Sequence, residues 1–326
     1  MWTIEVEDPG ANSKLVKGTR PMPSPLRDEV LIKTSAAGIN RADIFQRNGL
    51  YPPPKGASDV IGLEVSGIIE KIGSNVKNFK VGDKVCALLE GGGYAQYSTA
   101  PASQTLPIPE NLDFIEGAAL PEALFTVYSN FFHHAKIKKG ESFLIHGGAS
   151  GIGTFAVQVA RECGITCYAT AGSDAKCHFI EELGAYAAIN YKNTDFVEEI
   201  KKLTEQKGVN CIIDIVGGDY FNRNLRALAT GGRMICLSFL QGAETKANLA
   251  PILFKNLTIM GTTLRNKTTK QKAKIAEDLK NNIWPLVESG KIKPVISKVF
   301  HFHNVMDAHK LMESGRHIGK IILKCN

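Results

Sequence analysis

The sequence predicts an α/β protein in which a partly closed, barrel-like β domain is interrupted by an open, doubly wound domain on a parallel sheet. Three observations predict it. The run His146-Gly147-Gly148-Ala149-Ser150-Gly151-Ile152-Gly153 lies between an apolar stretch and an amphipathic one, the order strand, tight turn, helix. The segments after it alternate short apolar runs with helical periods, a βα series. The first third instead repeats short strands separated by glycine turns. At 326 residues the chain has room for two domains. The glycine run comes late enough for a substantial domain to precede it.

Each element has its own reason. Residues 1–7 and 29–34 alternate as strands do, and residues 40–48 carry a short helical period. Tyr51-Pro52-Pro53-Pro54 is a rigid loop, because consecutive prolines cannot sustain a helix interior. Residues 64–72 form a strand that ends at Gly73-Ser74-Asn75, and residues 81–85 lead into another. In the middle, the strands are expected at 142–146, 165–169, 187–190, 211–216, 234–238 and 257–260. Helices are expected between most of them, at 154–163, 175–183, 195–204 and 220–228. The amphipathic run 269–287 follows, and strands 295–300 and 319–323 return to the first domain. The expected division is therefore 1–122, 123–263 and 264–326, the middle part inserted into the other two.

Composition narrows the function classes. Hydrophobic residues make up 44% and charged residues 22%, an ordinary globular balance. The net charge of +7, from 39 basic and 32 acidic side chains, is dispersed, with no basic block or base-stacking aromatic array. Nucleic-acid binding is not expected. No apolar run is long enough to span a bilayer, and the N-terminus reads as a strand and not as a signal segment. The seven cysteines are odd in number and scattered, which suits reduced thiols and a cytoplasmic location.

The glycine run carries the chemistry. Glycines after a strand let the backbone approach a pyrophosphate while the following helix N-terminus faces its charge. Gly148, Ser150, Gly151, Ile152 and Gly153 are the contact candidates. A mononucleotide P-loop would end in Gly-Lys-Ser or Gly-Lys-Thr, and this loop ends Gly151-Ile152-Gly153-Thr154, so an ATP or GTP hydrolase is disfavoured. A short-chain dehydrogenase would carry its loop near the chain start, with a helical Tyr-x-x-x-Lys behind it. The Tyr51-to-Lys55 spacing precedes the loop and runs through three prolines.

Several ordered motifs together resemble the medium-chain dehydrogenase/reductase superfamily. They are Ala37-Gly38-Ile39-Asn40-Arg41-Ala42-Asp43, Gly62-Leu63-Glu64-Val65-Ser66-Gly67, Val81-Gly82-Asp83-Lys84-Val85, the Gly148-to-Gly153 loop and Gly319-Lys320-Ile321. Within it the chain is similar to the zinc-free, zeta-crystallin-like quinone oxidoreductases, the tumour-suppressor-induced branch above all. The resemblance implies a GroES-like catalytic domain and a Rossmann cofactor domain. It further implies an NADPH-dependent quinone reductase, dimeric or tetrameric, whose last cofactor-domain strand can extend a sheet across a dimer. Catalytic zinc needs three protein ligands. Where the zinc enzymes carry their first cysteine this chain reads Gly38-Ile39-Asn40-Arg41, where they carry histidine it has Leu63, and the structural-zinc cysteine lobe is absent.

The cofactor choice turns on the strand after the loop. An NAD site of the usual kind ends that strand in an acid for the ribose hydroxyls. Here Asp174 lies beyond the strand end, where capping is its ordinary role. Ser173 and Lys176 offer a hydroxyl and a positive charge to a 2'-phosphate, the Gly-Ser-x-x-Lys pattern of the resembling NADPH reductases. Tyr191 matches their adenosine-phosphate contact. Singly, these three read equally as a cap, a solvated lysine and partial core; together they favour NADPH. Gly217 offers room to the nicotinamide ribose or simply makes a turn. Phe239, ending another strand, borders the nicotinamide or packs as core, and Thr126 contacts the nicotinamide by family position or is an ordinary polar helix residue.

On the acceptor side the resemblance implies Asn40, Asp43 and Tyr51. Asn40 can hydrogen-bond a carbonyl or order water, and Tyr51 can donate to a developing oxyanion, form an aromatic wall or simply shield the proline-rich loop. Asp43 orients Arg41 or nearby backbone, or acts as a cap. The acceptor expected is a quinone, whose reduced form is aromatic. Alternatives are an NADPH-dependent enone or enoyl-thioester reductase, and a low-activity NADPH-binding protein.

Overall fold

Strand Glu29–Ile39 is the spine of the first unit. Its eleven residues are buried at nearly every position, so both faces are covered. One edge pairs antiparallel with Glu64–Ile72, and the other is shared between Tyr97–Pro101 and Lys320–Lys324. Serving two partners on one edge requires a bend, and the register against Glu64–Ile72 shifts between Thr34 and Ala36. The protein is seen in a computed structural model that describes residues 1–10 and 12–325. The seven-stranded sheet runs in the order Ile296–His301, Lys320–Lys324, Glu29–Ile39, Glu64–Ile72, Lys84–Leu88 and Thr105–Pro107, with Tyr97–Pro101 against the spine. It is rolled but not closed. Val30, Ile32, Ile39, Val65, Tyr94, Phe302, Ile321 and Leu323 belong to its apolar core. A separate hairpin pairs Trp2–Glu7 with Lys14–Thr19.

This unit comprises Met1–Phe125 and the chain from Leu264 onward; the second is Thr126–Thr263. The long amphipathic run expected at 269–287 is two helices, Thr269–Asn282 and Trp284–Glu288. Pro285 is the reason: it has no N–H to donate to Asn281, so the first helix stops and a new one starts with proline in its first turn. The Trp284 indole N–H donates to the Pro107 carbonyl at 2.9 Å and anchors that restart.

The second unit is a six-stranded, all-parallel sheet in the order Ala187–Asn190, Thr166–Ala171, Ser142–His146, Val209–Asp214, Leu228–Cys236, Thr258–Gly261. The order reverses between Ser142–His146 and Val209–Asp214, the switch point at which doubly wound sheets bind ligands. Two boundaries differ from expectation for visible reasons. Helix Gly151–Glu162 starts three residues earlier because Ser150 caps it, its side chain accepting the Gly153 N–H at 3.0 Å. The strand expected to reach residue 216 ends at Asp214, whose Oδ1 accepts the N–H groups of Val216 at 2.7 Å and Gly217 at 3.2 Å and turns the chain. Among the described residues no helix is long and apolar enough to cross a membrane.

Candidate active site

In the second unit, the glycine run forms a tight hairpin into helix Gly151–Glu162. A Cβ on Gly153 would collide with the carbonyl oxygens of Gly147 and Gly148, so only glycine lets the first turn lie on the loop. Gly148 and Ser150 lie in the loop, Gly151 and Ile152 open the helix, and Ser150 is its N-cap. The helix is long enough for its N-terminus to present free N–H groups and partial positive charge. Across the switch point, Gly217 has φ +69°, and a Cβ there would meet the Phe239 ring and the Gly242 carbonyl oxygen at 2.7 Å. Phe239 is about half exposed, at 49%. Thr126 is buried, and its carbonyl accepts from Asn130 Nδ2 at 2.7 Å.

Below the loop, His146 is fully buried between Thr170 Oγ1, 3.0 Å from Nδ1, and Asn224 Oδ1, 2.8 Å from Nε2. Asn224 Oδ1 can only accept, so Nε2 carries the hydrogen and Nδ1 accepts from the threonine. Burial holds this imidazole below its ordinary pKa. It is a neutral strut.

At the far end of strand Thr166–Ala171, Ser173 caps helix Asp174–Leu183, its side chain accepting the Lys176 N–H at 3.4 Å. Asp174 is held by Asn190, whose Nδ2 donates to it at 2.7 Å. Tyr191 is partly exposed, with its hydroxyl 2.8 Å from where a Cβ on Gly172 would stand. Desolvation, and then the nearby Lys192 ammonium, lower the Lys176 pKa. Ser173, Lys176 and Tyr191 are thus gathered round Gly172 together with Lys192, which sequence reasoning passed over. Two ammonium groups, a hydroxyl and a phenol suit a phosphate monoester, so the residues present fit a 2'-phosphorylated dinucleotide.

In the first unit, Asn40 caps helix Arg41–Arg47 in a capping box: Asp43 Oδ2 accepts the Asn40 N–H at 2.7 Å. The Asn40 amide is engaged on both sides. Its Nδ2 donates to Glu64 Oε1 at 2.8 Å, and its Oδ1 accepts from the Lys320 ammonium at 2.7 Å. Lys320 also reaches Glu64 Oε1 at 2.5 Å, and both are buried. Glu64 Oε2 accepts the Glu122 N–H at 2.9 Å. Residues far apart in the chain therefore share one carboxylate.

Asp43 is fully buried and also accepts from the Tyr94 hydroxyl at 3.1 Å. Tyr94 lies 3.2 Å from His309 Nε2, and His309 Nδ1 lies 3.3 Å from Arg47, which pairs with Glu313 at 2.6 Å. Burial outweighs the two hydrogen bonds and pushes the Asp43 carboxyl up to about 7. Tyr51 is half-buried, its ring under the Arg265 guanidinium at 5.3 Å. Burial and then Glu122 raise its pKa, with Arg265 opposing them. Arg265 is held by the Glu90 carbonyl at 2.8 Å and Gln46 at 2.8 Å. The buried Lys272 bonds the Arg265 carbonyl at 2.8 Å and pairs with Glu90 at 2.6 Å.

Asn40 and Asp43 thus share one hydrogen-bond network, and Tyr51 stands in a second one built on Arg265. Glu64, Tyr94, Glu122, Arg265, Lys272, His309 and Lys320 were not singled out as site residues, although Glu64 and Lys320 sit inside motifs the sequence displays. A zinc ion does not fit the donor set. Leu63 has no donor atom, and the Asn40 and Glu64 oxygens already hold the Lys320 ammonium. Among the described residues, no group of three or more His, Cys, Asp or Glu could hold a metal.

A rolled β unit, a six-stranded parallel unit and a glycine hairpin at the switch point define a nucleotide-dependent oxidoreductase class. Comparison with known proteins agrees: residues 26–110 match the alcohol dehydrogenase GroES-like domain and residues 151–280 the zinc-binding dehydrogenase domain. The chain belongs to the medium-chain dehydrogenase/reductase family, on the side of its quinone oxidoreductases. Over 304 residues it is 34% identical to the quinone oxidoreductase of Rattus norvegicus, covering 93% of this chain and 91% of the relative. The Escherichia coli quinone oxidoreductase solved with NADPH superposes with a TM-score of 0.88 at 31% identity, covering 99% of this chain and all of that one. The CurK enoyl reductase superposes with a TM-score of 0.86 at 27% identity, covering 100% of this chain and 99% of that one.

Proposed function

We propose that the protein is a metal-independent quinone oxidoreductase that uses NADPH. The observation that carries the cofactor half is the pair of lysines, Lys176 and Lys192, gathered with Ser173 and Tyr191 around Gly172. Like charges held together are relieved by a phosphate dianion. Gly148, Ser150, Gly151, Ile152 and Gly153 hold the pyrophosphate at the helix N-terminus, and Thr126, Gly217 and Phe239 border the nicotinamide. Bound NADPH supplies the hydride; the protein supplies position and polarity.

On the acceptor side, Tyr51 donates a hydrogen bond to the oxygen that gains charge, and the Arg265 guanidinium over its ring favours that donor. Asn40 orders Glu64 and Lys320, and Asp43 fixes the backbone of Asn40. Because Asp43 is fully buried, it acts as a positioning residue and not by contact with the acceptor. A quinone suits this site because little acid catalysis is needed to make an aromatic product. The likeness to an enoyl reductase supports a second reading, reduction of an activated enone with the same hydride chemistry.

Anaerobic NADPH oxidation against matched quinones and enones, with product analysis and an NADH control, tests both readings. Preferential NADPH-dependent quinone reduction is the expected result. Selective enone saturation would transfer the assignment to the second reading, and tight NADPH binding without turnover would sink both.

We further propose a cytoplasmic homodimer. The seven free thiols suit a reducing compartment. The exposed Leu249, Leu253 and Phe254 precede edge strand Thr258–Gly261, whose outer side has no partner strand among the described residues.

A further inference from the structure

Four carboxyl groups and one phenol surround the acceptor side of the first unit, and their surroundings differ. Asp43 and Glu64 are fully buried, and both are hydrogen-bonded. Glu90 is tied to the Lys272 ammonium. Glu122 alone is half-buried with no hydrogen bond to its carboxyl from any described residue. Its position is nevertheless fixed, because its own N–H donates to Glu64 at the start of helix Pro121–Tyr128. A half-buried carboxyl with no hydrogen-bond partner, carried on an anchored main chain, is placed to exchange protons with a bound molecule.

Resting on the quinone- or enone-reductase reading above, we propose that Glu122 is the acid that protonates the acceptor. Hydride transfer breaks the C4–H bond of a dihydronicotinamide and leaves the reduced acceptor with a negative charge on oxygen. The Glu122 O–H bond then breaks, an O–H bond forms on that oxygen, and the carboxylate recovers its proton from water. The sum is one hydride and one proton added to the acceptor.

The charges around Glu122 support its holding that proton. A first-turn carboxylate is ordinarily favoured by its helix. Here desolvation, then the Glu64 carboxylate, push Glu122 up to about 8, Asp43 adding to the rise while Lys320 and Lys272 oppose it. Tyr51 and Arg265 complete the charged and titratable groups that sense Glu122. Below that pH it is a neutral acid beside a phenol whose own proton is held more tightly than usual.

Two measurements test this on the full chain, with Glu122→Gln as the near-isosteric variant. Infrared difference spectra of the cofactor-free protein should show a protonated carboxyl band at pH 7 that titrates away above pH 8 and is missing in E122Q. Single-turnover reduction should fall tenfold per pH unit above the same midpoint in the wild type. In E122Q it should be about 100-fold slower and flat with pH, with NADPH affinity unchanged. No lost band, or a variant that keeps the wild-type rate and profile, overturns the proposal while leaving the reductase reading intact. A wild type that reduces no acceptor overturns both.

Discussion

The chain Arg47–His309–Tyr94–Asp43 has only one consistent set of protons. Arginine can only donate, so His309 Nδ1 accepts, Nε2 carries the hydrogen and donates to Tyr94, and Tyr94 donates to Asp43. Burial, then Arg47, push His309 down to about 3, so it stays neutral throughout the useful pH range. Tyr94→Phe should therefore strand a buried N–H and remove one of two donors to Asp43. The expected loss is about 2 kcal/mol in urea unfolding, and a loss below about 0.5 would mean that the chain is slack. Glu122 makes a pH prediction of opposite character. A carboxyl raised from 4.5 to about 8 contributes stability that is complete below 4.5 and is lost as pH rises to 8. E122Q cannot lose it, so its Tm should gain on the wild type between pH 5.5 and pH 9, read by calorimetry. None of this chain was legible beforehand except Asp43, because Arg47, Tyr94 and His309 lie on separate elements and carry no motif that links them.

Among the elements, the proposed cofactor choice rests on the strand end Thr166–Ala171 and the cap of helix Asp174–Leu183. Replacing Lys176 and Lys192 together with alanine should raise KM for NADPH by roughly 10- to 100-fold, the range of charge-assisted hydrogen bonds, and leave NADH nearly unchanged. Equal losses for both cofactors would contradict a phosphate site there. Lys176 was readable from its spacing behind Gly172-Ser173, whereas Lys192 sits in an ordinary-looking turn and is found only by where that turn falls. The elements themselves were largely legible. Strands Ser142–His146 and Ala187–Asn190 stand where their apolar runs place them. The differences arise from side-chain chemistry that periodicity does not register: the Ser150 cap, the Asp214 turn and the proline at 285.

For the whole molecule, the proposed dimer gives a direct expectation. Phe254, 79% exposed, should be covered in it. Phe254→Glu should convert a dimeric sedimentation profile to a monomeric one, and a wild type that sediments as a monomer would remove the proposal. The division into Met1–Phe125 with the chain from Leu264, and Thr126–Thr263, reflects the change from alternating strands to βα rhythm and back. The proposed acceptor-side cluster was half legible. Asn40 and Tyr51 drew attention, but the Glu64–Lys320 pair hid in two motifs separated by most of the chain, one of them noticed for the histidine it lacks.

That separation has a consequence for synthesis. Glu64 leaves the ribosome long before Lys320 exists, and removing one partner of a buried ion pair costs about 3–5 kcal/mol. Until Lys320 arrives, strand Glu64–Ile72 must bury an unanswered charge or stay undocked, and any product that stops short never escapes that choice. A chain truncated before Lys320 is therefore expected to unfold more readily than the full one, which limited proteolysis would read.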